Sequence, residues 1–185
     1  MQDYREFIGE VLITEEMLKK RISELGAQIS DDYRGKGPLI LVCILRGGVL
    51  FLTDLIRTIS IPHAIEFMGV SSYGIGGRES SGSVRLTLDL GVDIANKHVL
   101  LVEDIIDSGR TIHAVINLLA TRGPASINVC TLLDKAERRE VDVPIEYIGF
   151  SIPNKFVFGY GLDIDDYYRN LPFIGVVDLN KYKPV

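Results

Sequence analysis

Residues 99–111 read VLLVEDIIDSGRT, and the fold of the chain turns on how that stretch is parsed. Val99, Leu100, Leu101 and Val102 form a short apolar run, which suits a strand buried on both faces. The run meets two carboxylates, Glu103 and Asp104. Buried carboxylates are costly unless paired, hydrogen-bonded or metal-bound, so the pair should mark the open C-terminal edge of a sheet. Asp107, Ser108, Gly109, Arg110 and Thr111 follow, and a helical pattern begins there. Unpaired N–H groups and the helix dipole favour an anion at such a point, and Gly109 lets the backbone approach it closely. Carboxylates fit for a diol or a metal thus sit beside a phosphate cradle. That combination suits a sugar phosphate. The plainer reading is a strand–turn–helix with an acidic turn, but five polar groups in this order favour a ligand. A Walker A loop is excluded, because the chain holds no G-x-x-x-x-G-K-[ST] run.

The same alternation continues on either side. Residues 39–45 read as a buried strand, and Arg46-Gly47-Gly48 turns it into a helix whose core face is Leu52, Leu55, Ile56 and Ile59. Upstream, Thr14 can cap a helix striped by Leu18, Ile22, Leu25 and Ile29. Residues 63–70, 84–88, 127–133, 147–150 and 173–177 are further strand candidates, and Ile112, Val115, Ile116 and Leu119 face inward on the helix after residue 111. Strands alternating with amphipathic helices predict an α/β fold, an open, mostly parallel sheet flanked by helices with right-handed crossovers. Ligands of such sheets collect beyond the C-terminal strand edges. Four polar clusters fall there: 46–48, 71–83, 103–111 and Lys135.

Composition bounds the function. A chain of 185 residues, 46% hydrophobic and 24% charged, fits one globular domain. The net charge of −5 argues against nucleic acid or an anionic membrane surface as a partner. No apolar run reaches membrane-spanning length, and MQDYREFIGE lacks the basic and apolar regions of a signal peptide, so the expected compartment is the cytosol. Cys43 and Cys130 lie in apolar runs and read as buried free thiols. His63, His98 and His113 show no metal-ligand spacing.

Residues 99–111 resemble the phosphoribosyl-diphosphate signature of the type I phosphoribosyltransferases. Beside that signature, Leu45-Arg46-Gly47-Gly48 resembles the pyrophosphate loop of the 6-oxopurine branch, in which the bond before the basic residue is a cis peptide. Residues 71–83 resemble the catalytic loop of that branch, whose Ser-Tyr pair, here Ser72-Tyr73, reaches over pyrophosphate. The segment IPNKFVFGYGLD, residues 152–163, resembles the branch's base-binding hood. The likeness spans roughly residues 39–169. Two positions differ from the usual pattern: Ser108 where threonine is common and Arg46 where lysine is common. Both keep the donor.

The resemblance implies transfer of 5-phosphoribosyl from phosphoribosyl diphosphate to N9 of hypoxanthine or guanine, giving IMP or GMP and pyrophosphate. It implies one domain over residues 1–185, with a core of roughly 35–150 and a hood from the N-terminal segment and roughly 151–185. It assigns Asp107 as the base, with Glu103, Asp104, Asp107, Ser108, Gly109, Arg110 and Thr111 at the phosphoribosyl group. Pyrophosphate falls to Arg46, Gly47, Ser72, Tyr73 and Arg169, and the purine to Lys135, Phe156, Val157 and Asp163. Mg²⁺ is the implied cofactor, at Glu103, Asp104 and Asp163, and a homodimer or homotetramer the implied assembly. From position alone Lys135 also reads as a snorkelling surface lysine. Rival readings are a xanthine-accepting enzyme of the same branch and a regulatory nucleic-acid binder built on the same scaffold.

Overall fold

The computed structural model describes residues 2–72 and 84–184. Six strands form the main sheet: β2 (Leu39–Leu45), β3 (His63–Ser72), β4 (Val84–Leu88), β5 (His98–Ile106), β6 (Ser126–Asp134) and β7 (Tyr147–Ser151). Their order is β4-β3-β2-β5-β6-β7, all parallel except β4, which runs back against β3. The apolar run of β2 explains why it sits inside this sheet. Leu39, Leu41 and Cys43 pack into one core with helices α1 (Glu15–Tyr33) and α2 (Val49–Leu55), whereas Ile40, Val42 and Ile44 pack into a second with α3 (Arg110–Ala120). Alternation along an extended chain delivers the two sets to opposite faces. Both cysteines are buried and free.

The chain leaves β2 through α2 towards β3 and leaves β5 through α3 towards β6, in opposite directions along the sheet. The C-terminal ends of β2 and β5 therefore flank a topological switch point, where open α/β sheets hold their ligands. A second sheet of three antiparallel strands, in the order β1-β9-β8, is built from β1 (Ile8–Ile13), β8 (Val157–Phe158) and β9 (Ile174–Val177). Its own small core holds Phe7, Phe158, Ile164, Leu171 and Val177. Among the described residues, no helix is long and apolar enough to cross a membrane.

Several elements differ from the sequence reading. Helix α2 stops at Leu55, because Thr58 Oγ1 donates to the Leu55 carbonyl at 2.8 Å and closes the end. Ile59 is buried beyond the helix, and Phe51 fills the core from within it. Strands β1 and β8 were not expected. Among the described residues, each pairs as a strand with β9 alone, and for β1 that partner is distant in sequence. Strand β5 runs on to Ile106, past its carboxylates, because β6 continues to pair with it after β2 has stopped at Val102. Glu103 and Asp104 thus lie where one flank of the strand has lost its neighbour.

Candidate active site

The phosphate-loop residues cluster at the N-terminus of α3. Gly109 caps that helix with φ +83°, a left-handed conformation that glycine adopts without steric cost. A Cβ there would lie 2.8 Å from the Val141 carbonyl oxygen, so glycine is also required for space. The N-cap glycine itself offers no side-chain acceptor, and Ser108 Oγ accepts from Arg110 N at 3.4 Å. The Ser108 carbonyl accepts from Glu140 N at 2.9 Å and Val141 N at 3.1 Å, which fixes the turn from behind. Arg110 pairs with Glu140 at 2.6 Å. Glu103, Asp107, Ser108, Gly109 and Thr111 line one cavity of about 110 Å³ with Ile105, Ile106 and Ile112. The structure thus gathers these residues around one partly polar hollow at the start of α3.

Glu103 and Asp104 are not side by side. Neighbouring strand residues point to opposite faces. Glu103 lines the cavity at α3, whereas Asp104 lies against Gly47 in the loop after β2: a Cβ on Gly47 would sit 1.5 Å from Asp104 Oδ2. Burial raises the Asp104 pKa to about 6; its backbone hydrogen bonds and Arg169 lower it, and the Asp163 charge adds to the rise. Burial pushes Glu103 well above the usual carboxylate range, and the Asp104 charge adds to the shift. Glu103 Oε2 is buried with no hydrogen-bond partner among the described residues. An oxygen in that position is a standing acceptor for a hydroxyl or a cation.

The peptide joining Leu45 to Arg46 is cis. Arg46 reaches across to Asp166 at 2.7 Å. Arg169 Nη2 lies 2.8 Å from Asp163 Oδ1, and its Nη1 donates to the Gly161 carbonyl at 2.7 Å. The Asp104 pKa responds to both Arg169 and Asp163, so these groups share one field. The three carboxylates expected at a metal do not form a closed set: no group of three His, Cys, Asp or Glu residues able to hold an ion occurs among the described residues. Mg²⁺ keeps several waters and commonly takes one or two carboxylates plus substrate phosphates, so an open donor set with an orphaned oxygen suits it.

Lys135 is not the snorkelling surface lysine that its position also allowed. It is only 7% exposed and buried at the end of β6, its backbone N–H donating to Ile106 at 3.0 Å. Burial pulls the ammonium below its ordinary pKa, and the Asp107 charge resists that pull. Arg138 Nε lies 3.0 Å from Asp107 Oδ1, although the angle is not that of a hydrogen bond. Phe156 is 48% exposed, whereas Phe158 is fully buried, so only Phe156 offers a free ring face. Val157 is buried in β8. Ser72 ends β3, and Tyr73, with the rest of the expected lid at 73–83, lies outside the described residues.

Sequence reasoning missed the brace behind the phosphate loop. Arg139 Nε donates to the Asp107 carbonyl at 3.2 Å, and the same guanidinium pairs closely with Asp134. The charge run DKAERRE after β6 was the available signal. Asp166 was also missed, and only its left-handed turn brings it to the arginines.

Residues 11–165 match the phosphoribosyl transferase domain. The hypoxanthine phosphoribosyltransferase of Salmonella typhimurium is 50% identical over 171 residues, covering 92% of this chain and 96% of that protein. The hypoxanthine-guanine phosphoribosyltransferase of Staphylococcus aureus is 48% identical over 175 residues, covering 95% and 97%. A crystal structure of a hypoxanthine phosphoribosyltransferase from Staphylococcus aureus superposes with a TM-score of 0.92 at 46% identity, covering 97% of this chain and 96% of that one. A match over most of the chain, in sequence and in fold, accounts for the loops gathered at the switch point: the chain belongs to the phosphoribosyltransferase family.

Proposed function

We propose that the protein is a purine salvage enzyme that transfers 5-phosphoribosyl from phosphoribosyl diphosphate to N9 of hypoxanthine or guanine. Pyrophosphate leaves ribose C1, the N9–C1 bond forms, and the proton on N7 goes to Asp107. Residues 108–111 grip the 5-phosphate and supply binding energy remote from the reacting carbon. Glu103 and Asp104 receive the ribose diol from the two faces of β5. Arg46 and Arg169 gather the charge that develops on pyrophosphate. Phe156 stacks on the base, and the Val157 backbone reads its edge. Glu103, Asp104 and Asp163 are the residues that would hold Mg²⁺, which when bound supplies positive charge to the leaving group. The names of the relatives support the class of base.

The observation that carries the reading is the burial of Lys135 beside Asp107. A buried ammonium needs an acceptor, and the C6 oxygen of a 6-oxopurine is one. Adenine has a donor there, so an ammonium must oppose it. A site built around one hydrogen bond rejects the mismatched analogue strongly. Pyrophosphate release measured with each purine should be rapid for hypoxanthine or guanine and very slow for adenine. Lys135→Met should lose most of that activity, by roughly 10²-fold or more, while still binding phosphoribosyl diphosphate. Brisk adenine turnover, or a fully active Lys135→Met, would overturn the assignment.

A further inference from the structure

The backbone of the Ile164–Tyr167 turn reverses through two non-glycine residues of positive φ, Asp165 at 51° and Asp166 at 70°. Such two-residue turns accept Gly, Asn or Asp, so the geometry restricts the residue type but does not require the charge. The carboxylate of Asp165 accepts from the Tyr182 hydroxyl at 2.6 Å and points away from the site. That of Asp166 points in. Its Oδ1 lies 2.7 Å from Arg46 Nη2 and 3.4 Å from Arg169 Nη2, so two guanidinium groups from separate elements converge on one oxygen. Its backbone N–H donates to Asp163 Oδ2 at 2.8 Å, which holds the turn in that aim.

Folding does not account for the charge. The Arg46 and Asp166 side chains are 69% and 62% exposed, and ion pairs that exposed contribute little to stability. Their effect falls on the site instead. Two guanidinium groups brought this close can also share a larger anion with several oxygens. We propose that Asp166 is an internal stand-in for pyrophosphate: it pairs with Arg46 and Arg169 and must be displaced when the diphosphate binds. This rests on the assignment of those two arginines to pyrophosphate. Asp166 therefore sets affinity, weakening the hold on the diphosphate group and easing its departure.

Titration calorimetry with inorganic pyrophosphate at fixed magnesium tests the idea. Asp166→Asn keeps a residue that tolerates the left-handed turn and removes the competing anion, so pyrophosphate should bind about 2–10-fold more tightly. Asp165→Asn makes the same change in net charge one residue away and should leave affinity within about twofold, which separates direct competition from a general field effect. Arg169→Gln should weaken binding. If wild type does not bind pyrophosphate, or Arg169→Gln binds it as well as wild type, the assignment of the arginines fails and the stand-in with it. If Arg169→Gln binds less well but Asp166→Asn binds no tighter than wild type, the assignment stands and the stand-in alone is overturned. An equal tightening in Asp165→Asn also overturns it.

Discussion

Glu103 concentrates the conflict between folding and chemistry in this site. Its Oε2 is buried without a partner among the described residues, and burial holds its proton well above the usual carboxylate range. A folded-state pKa raised above the unfolded value means that the native state takes up a proton the unfolded chain lacks. Stability therefore falls as pH rises from the ordinary carboxylate range through the folded-state pKa, and the cost persists above it. Glu103→Gln should raise the stability of the ligand-free protein by about 1 kcal/mol near neutral pH, roughly 2–4 °C in Tm. The gain should shrink as pH falls below about 4, where the carboxyl becomes neutral in both states, and turnover should drop because the charge and one of the two acceptor oxygens proposed for the ribose are lost. Calorimetric scans at a series of pH values, paired with rate measurements, check both halves. A variant less stable at every pH would mean that Glu103 has a native partner.

At the scale of the element, the cradle proposed for phosphate depends on how α3 begins. Its entry was readable in sequence, since a strand, an acidic turn and Gly109 before an amphipathic run leave few other arrangements. What sequence did not carry is the wall behind the loop. Val141 and Arg139 close on Gly109 from a segment that follows β6, so the space at position 109 is decided by a later part of the chain. Gly109→Ala adds both a left-handed strain and a collision with the Val141 carbonyl. It should cost about 1–3 kcal/mol in stability and raise the KM for phosphoribosyl diphosphate roughly tenfold or more. Gly123 provides the control, with φ +66° and nothing within 4 Å of a Cβ. Gly123→Ala should show only the conformational cost, seen as a lower Tm with unchanged KM. Equal kinetic effects in the two variants would remove the cradle argument.

Across the whole molecule, the site joins two sheets: β2, β5 and β6 contribute from the large one, and the segment between β8 and β9 brings Asp163 and Arg169 from beside the small one. A ligand held by both should stabilise the entire chain. Phosphoribosyl diphosphate at about 100 times its Kd should add roughly 2.7 kcal/mol, a Tm rise of about 5–10 °C, in the presence of magnesium. Chelation should remove most of the rise, since the carboxylates then face the diphosphate without a bridging charge. A shift of the same size with and without chelator would separate these carboxylates from any metal. Local patterning already determined the parallel sheet, the helix faces, the two glycine loops and the acidic pair, because side-chain alternation and turn chemistry are written within a few residues. Tertiary structure decided the rest. It paired β1 and β8 through β9, buried Lys135, and set Asp166 against an arginine far earlier in the chain. Each of those depends on contacts between segments distant in sequence, where no local period records the partner.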